Sequence, residues 1–392
     1  MQQVRVTPVD HAALSARQRH VAEKMGRFGT ADAPNLMRTM LNYPEFARSI
    51  GRMSTRVTLT SDLPPRLWQL ACVRTAWLCG STYLWASHKA ECLSLGVTED
   101  ELRAVAEDTT ALAGDDRLIV EAVDRLHTFH YLPDESWAAL ARFGHHAAMD
   151  LTITYGFYVT LAAFANSAGV ALDAGLKGAP EPFGGTITAG AARHSLRTYP
   201  KRVEEADYDR LTPQQREQTG RMGRRGLPTT SKLQKAMINY VDFMKALSPF
   251  GKRAIDNTSL PPRLWQLACM RTVWLCDSEY LWSQHRKAIL KLGVSDDVLH
   301  GVAEGGGSAR LEGLDAAVVR AVDELYFDNR LSDESWDAFE QFGDSEGVTD
   351  LILVYGLYII QSCVARNFGT TLEPETTGYL PELEPLRDAQ QR

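Results

Sequence analysis

Residues 66–88 read RLWQLACVRTAWLCGSTYLWASH and residues 263–285 read RLWQLACMRTVWLCDSEYLWSQH, with 17 of 23 positions identical at an offset of 197. Cores tolerate exchanges among apolar side chains of similar volume, so packing alone does not retain Gln, Arg, Ser, Tyr, Trp and His at matched places. The retained residues point to a shared site or a shared polar network. Pro64-Pro65 followed by apolar residues at helical spacing predicts a helix start. Gly80-Ser81 interrupts that helix, Ser81 suits an N-cap, and a second helix then runs to Gly96, a C′ glycine. Pro261-Pro262, Ser278 and Gly293 stand at the matched places in the second copy.

The repeat extends outward on both sides. Leu14 answers Leu211, Asn42-Tyr43 answers Asn239-Tyr240, and Leu95-Gly96-Val97 answers Leu292-Gly293-Val294. DESW at 134–137 matches DESW at 333–336 with an offset of 199, and Tyr155-Gly156 matches Tyr355-Gly356 with an offset of 200. With so little insertion, each half is one whole domain and not a short solenoid unit. Further helices are expected over Thr98 to Glu107, Ala111 to Thr128, Asp134 to Phe143 and Asp150 to Gly169, and no segment alternates with strand period. The expected fold is all-α: two tandem homologous helical bundles over 1–175 and 206–375. A Gly-, Pro- and Thr-rich linker at 176–205 joins them, and a short acidic, Pro-rich tail at 376–392 is expected to fray.

Composition narrows the partners. A net charge of −7 gives no electrostatic pull toward nucleic acid or anionic lipid, which leaves a small-molecule partner as the expectation. The apolar stretch Leu151 to Leu172 and its counterpart, which contains Gln361 and Arg366, lack the basic and aromatic flanks of a membrane span and read as buried bundle helices. The start MQQVRVTPVD shows no secretory pattern, and six cysteines in apolar helical settings, without CxxC or zinc spacing, read as reduced buried thiols. A cytoplasmic location follows as an expectation, with no metal site.

If Ser81 begins a helix, Ser81, Leu84, Trp85 and His88 share a stripe, as do Ser278, Leu281, Trp282 and His285. Histidine exchanges protons near neutral pH, and an adjacent tryptophan supplies an apolar wall. The competing reading makes these core histidines, hydrogen-bonded between helices, with the tryptophans filling volume. Arg74 and Arg271, in mid-helix between apolar residues, read as structural ion pairs. Asp277 and Glu279 replace Gly80 and Thr82 and are either ordinary helix N-terminal charges or a sign that one half has specialised. His127, His130, His145 and His146 occur only in the first half and read as surface positions.

The order Arg66-x-x-Gln69, then Tyr83-x-Trp85-x-x-His88, then Gly96-Val97-Thr98-x-Asp100, given twice, resembles the carboxymuconolactone decarboxylase and alkylhydroperoxidase D-like superfamily. The resemblance covers nearly all of both halves and implies an all-α bundle that assembles through its helices, so that a trimer of this fused chain would rebuild a hexamer. In the thiol-peroxidase branch a Glu, a CxxC pair and a His form a relay. The cysteines fall where this chain has Ser81 and Leu84, and Ser278 and Leu281; the Glu falls at Gln69 and Gln266. Thiol-dependent peroxide reduction needs a thiolate and a resolving thiol, which are missing at these positions. The decarboxylase branch commonly carries an acid in the Tyr-x-Trp motif, where Leu84 and Leu281 stand.

The surviving residues suggest a cofactor-free pocket. His88 and His285 are the expected proton carriers, and Gln69 and Gln266 the expected hydrogen-bonding partners that fix a substrate carbonyl or hydroxyl. Arg66, Ser81, Tyr83 and Trp85, with Arg263, Ser278, Tyr280 and Trp282, are the expected substrate-binding residues, although Arg66 and Arg263 equally suit helix-start salt bridges. The reactions within reach are decarboxylation, dehydration, isomerisation, or cyclisation of a polyketide-like, aromatic or lactone substrate. The alternative is a non-catalytic protein that holds a small apolar ligand.

Overall fold

The computed structural model describes residues 4–25, 29–178, 199–221, 231–343 and 345–390. The first half contributes α1 (Ala16–Lys24), α2 (Asn35–Met40), α3 (Pro44–Leu59), α4 (Pro65–Leu78), α5 (Thr82–Ser94), α6 (Glu99–Glu107), α7 (Gly114–Phe129), α8 (Asp134–Leu140) and α9 (Ala147–Ala168). The second repeats the order with α10 (Pro213–Arg221), α11 (Lys232–Met237), α12 (Val241–Ile255), α13 (Pro262–Leu275), α14 (Glu279–Leu290), α15 (Asp296–Glu304), α16 (Gly313–Phe327), α17 (Asp333–Glu340) and α18 (Gly347–Phe368). A final helix, α19 (Glu384–Gln390), closes the chain. No strand occurs among the described residues, so the fold is all-α.

Local chemistry sets these boundaries. Ser15 with Gln18 and Thr98 with Glu101 form reciprocal capping boxes, and proline occupies the first helical turn of α3, α4 and α13. Gly169 and Gly369 end α9 and α18 in left-handed conformation, at φ 65° and 67°. The same conformation is needed between α4 and α5 and between α13 and α14. Gly80 supplies it in the first half (φ 59°), whereas Asp277 adopts it in the second (φ 50°).

α9 and α18 are long and apolar enough to cross a membrane by length and composition, yet both are buried along nearly their whole length inside the protein. They pack on each other at the centre, where the halves meet in one continuous hydrophobic core. Their contact is reciprocal. A Cβ on Gly156 would lie 2.6 Å from Ile360, and one on Gly356 would overlap Thr160. Each glycine therefore lets the other helix approach at the matched position.

The polar frame is reciprocal too. Arg5 pairs with Asp333 and donates to the Ser167 carbonyl, while its guanidinium lies 4.8 Å over Trp336. Arg202 pairs with Asp134, donates to the Leu132 carbonyl (2.8 Å) and lies 5.1 Å over Trp137. The two DESW segments are thus each clamped by an arginine from the other half. Ser167 Oγ accepts from the Leu331 amide (2.9 Å) and Asn367 Oδ1 from the Leu132 amide (2.8 Å), again across the halves. Within the halves, Arg74 pairs with Asp124 (2.6 Å) and Arg271 with Asp323 (2.5 Å), the structural ion pairs expected for those arginines.

Two expectations change. The tail does not fray over its described length: Tyr379 and Leu383 are buried, and Arg387 reaches Asp277 at 2.6 Å. His127 and His130 are not surface residues. His130 is buried against Tyr326 of the second half, and His127 lies 3.3 Å from the Tyr155 hydroxyl of α9 in its own half. The expected linker lies mostly outside the described residues, which omit 179–198; its end, from Tyr199 to Arg202, packs on the first half through Tyr131 and Asp134.

Candidate active site

α4 and α5 pack side by side, and the turn at Gly80-Ser81 sets their register so that Gln69 faces His88. Gln69 Oε1 lies 2.7 Å from His88 Nδ1, and Gln266 Oε1 lies 3.1 Å from His285 Nδ1. A glutamine carbonyl accepts and cannot give up a proton, so the neutral imidazole carries its hydrogen on Nδ1 and keeps a lone pair on Nε2. The two residues expected to carry chemistry are thereby joined in both halves.

Aromatic rings enclose the pair. His88 meets Tyr158 at 4.9 Å and Trp68 at 5.9 Å, both edge to face. His285 meets Tyr358 at 4.8 Å and Trp265 at 5.7 Å. Cys72 and Cys269 hydrogen-bond with the hydroxyls of Tyr158 and Tyr358 from below. Desolvation by these walls penalises the charged imidazolium and draws the His88 pKa down from 6.5 to about 4. His88 is consequently neutral near pH 7.

In the second half His285 opens to a cavity of about 520 Å³. His285, Trp265, Tyr280, Leu281 and Tyr358 form its inner wall. Its outer wall comes from α10 to α12 and from Gln361 of α18. Among the described residues no group of three His, Cys, Asp or Glu is placed to hold a metal ion.

The other expected residues separate into different roles. Tyr83 donates to Asp173 (2.6 Å) and accepts from the Leu36 amide (3.3 Å), while Tyr280 donates to Glu373 (3.1 Å) and accepts from the Leu233 amide (3.2 Å). These tyrosines tie α2 and α11 to the site helices, and Tyr280 also touches the cavity. Trp85 packs on Trp77 (5.2 Å), and Trp282 on Trp274 (5.4 Å) and Tyr379 (5.5 Å). Neither forms the wall expected of it, since Trp282 faces the core and the wall tryptophan is Trp265. Ser81 and Ser278 are buried at the N-caps, away from the cavity lining, with no hydrogen-bond partner for either hydroxyl among the described residues.

Arg66 is held by Asp116 (2.6 Å) and Glu101 (2.8 Å), and Arg263 by Asp315 (2.6 Å). Their guanidiniums are committed to helix-start ion pairs, outside the cavity, which removes them from carboxylate binding. All six cysteines are buried, and burial pushes the thiols up, Cys79 and Cys276 to about 12. Asp277 is an anchor: it pairs with Arg366 (3.2 Å) and Arg387 (2.6 Å). Glu279 accepts from the Tyr379 amide (3.3 Å).

Sequence reasoning missed Trp68, Trp265, Tyr158 and Tyr358. Their signal was present, because each tryptophan immediately precedes the paired glutamine and each tyrosine recurs in the matched YGFY and YGLY segments.

Residues 44–125 match the model of the carboxymuconolactone decarboxylase family. This segment belongs to that family. It runs from the start of α3 into α7 and holds Gln69, Cys72, Ser81 and His88, so the histidine pair sits inside the carboxymuconolactone decarboxylase unit. No curated protein and no solved structure matches the chain.

Proposed function

We propose that this chain is a cofactor-independent enzyme of the lyase or isomerase type, in which a neutral histidine moves a proton on a small cyclic substrate. The Gln–His pair, built twice with Nδ1 held against the glutamine oxygen, carries this reading. His285 Nε2 accepts a proton from an activated carbon or hydroxyl, and the Gln266 carbonyl stabilises the Nδ1–H of the imidazolium that forms. The imidazolium then returns the proton to a different atom or to a leaving hydroxyl, which gives isomerisation, dehydration or cyclisation. After decarboxylation it would protonate the carbanion. The glutamine acts as a positioning residue through the histidine, a narrower role than direct contact with substrate.

The test compares the full chain with His88→Gln, His285→Gln and the double variant. Each is incubated with a panel of β-keto acids, lactones and hydroxy-ketones in deuterated buffer, and deuterium incorporation and product are read by mass spectrometry. Loss of exchange and turnover in the double variant supports the proposal. Unchanged turnover in a folded double variant overturns it.

A second reading, a non-catalytic binding protein, has one observation in its favour. Among the described residues no charged partner holds the His88 imidazolium, and a base drawn down to about 4 retains a proton poorly. Saturable binding without turnover would select it. We further propose that the halves are two copies of one domain, that the chain acts in the cytoplasm, and that three chains assemble into a ring of six copies, a mass that light scattering measures directly.

A further inference from the structure

The inner walls of the two sites are alike, but the outer wall of the second is not a copy of the first. At the repeat-matched positions, Gln218 replaces Val21, Gln234 replaces Met37, Lys252 replaces Thr55, Asp256 replaces Leu59, Gln284 replaces Ser87 and Gln361 replaces Leu161. All six second-half residues line the His285 cavity. In the first half Val21 and Met37 line a separate groove of about 560 Å³, shared with Lys24, Arg48 and Arg52 and with Lys252 and Arg253 of the second half, whose wall does not include His88. The amide-bearing residues that line the His285 cavity therefore have mostly apolar counterparts in the first half.

One amide is unspent. The Nε2 of Gln284 is buried and has no hydrogen-bond partner among the described residues, although the residue lines the cavity next to His285. A buried donor left unpaired costs about 1–3 kcal/mol, so an acceptor carried by a ligand in this cavity would be favoured. Trp265 and Tyr358 form the apolar floor beside it.

We infer that the His285 cavity is specific for an uncharged ring compound bearing a carbonyl oxygen, with Gln284 as the specificity-determining donor, and that the His88 site does not share this preference. The inference rests on the proposed reading of the His285 cavity as the working site. Four glutamines and one opposed Lys and Asp recognise oxygen functions without a net charge to hold an anion. In the first half, Ser87, Leu161, Met37 and Val21 offer one short hydroxyl in place of four amides.

The test uses two probes matched in shape, α-tetralone and tetralin, which differ by one carbonyl. Binding to the full chain is followed by NMR through the imidazole Cε1–H resonances, with His88→Gln and His285→Gln supplying the assignments. The tetralone is expected to shift His285 saturably and to bind there roughly tenfold more tightly than tetralin, one donated hydrogen bond in a dry site. Gln284→Met, which keeps volume and removes the donor, is expected to erase that ratio, while Gln361→Leu reduces it less. Ser87→Gln is expected to raise the tetralone preference at His88. No saturable shift of His285, equal affinities for the two probes, or a ratio that survives Gln284→Met in a protein with unchanged thermal unfolding would overturn the inference. Because the readout is binding, a chain that prefers tetralone but is unaffected in turnover by His285→Gln refutes the catalytic reading alone.

Discussion

Replacing Gln69 with Glu places a carboxylate where an amide oxygen now lies 2.7 Å from His88 Nδ1. The substitution changes one atom's identity and almost no volume, so its effect is electrostatic. With charge centres about 4 Å apart and an effective dielectric constant near 20, the attraction is about 4 kcal/mol, or close to 3 pH units on the imidazole. Part of that is lost in burying the carboxylate, which leaves an expected rise of roughly 1–2 units from the native value of about 4. The sign also reaches stability. His88 has a folded pKa depressed below its ordinary 6.5, so its contribution is complete above about pH 6.5 and is lost as pH falls toward 4. The loss runs at about 1.4 kcal/mol per unit, up to roughly 3 kcal/mol. In Gln69→Glu that loss should shrink. NMR titration of the His88 Cε1–H gives the midpoint, and urea unfolding at pH 7 and pH 5 gives the linkage. Gln69→Leu is the control, expected to lower stability by about 1–3 kcal/mol at pH 7 through an unpaired Nδ1–H, with no rise in the midpoint. A midpoint in Gln69→Glu that stays at or below the native one would refute the placement of this oxygen against Nδ1.

Other expectations follow from the frame. Asp277→Asn breaks buried pairs with Arg366 and Arg387 and should cost about 3 kcal/mol by urea unfolding. It should also expose the 379–390 segment to limited proteolysis at native pH. Gly356→Ala should lower the unfolding temperature more than Gly156→Ala, by about 1–3 kcal/mol in stability, because its new methyl overlaps Thr160 more deeply than the other overlaps Ile360. All six cysteines should resist an aromatic disulfide reagent in the folded protein and react fully in guanidinium, since burial holds every thiol in its protonated form. Rapid labelling of Cys79 or Cys276 at neutral pH would contradict this.

Much of the fold was written locally. Proline at N1, Thr98 with Glu101, and Gly169 mark helix ends by backbone chemistry that needs no tertiary context. The Gln–His pair was legible because two polar residues repeated on adjacent helices have few places to go except toward each other. The choice between Trp85 and Trp68 was not legible. Both lie on apolar faces, and only the approach of α9 with Tyr158 decides which one borders the histidine. His130 looked solvent-facing because its cover, Tyr326, lies nearly two hundred positions away, and His127 because only the packing of α9 brings Tyr155 onto it. The docked tail was hidden for a similar reason, since its anchor Asp277 precedes Arg387 by 110 residues.

The exchange of clamps between Arg5, Asp333, Arg202 and Asp134 has an evolutionary corollary. Each half carries both an arginine and a DESW partner, so one ancestral copy could have closed on another copy of itself by the same handshake. Two separate identical chains must change together, because every mutation appears on both sides of the seam. Joined in one polypeptide, the copies meet at a high effective concentration whatever their differences, and the seam persists while the two outer walls drift apart. With the halves as two copies of one domain, as we propose, fusion would convert a symmetric partnership into a permanent pairing of unequal members.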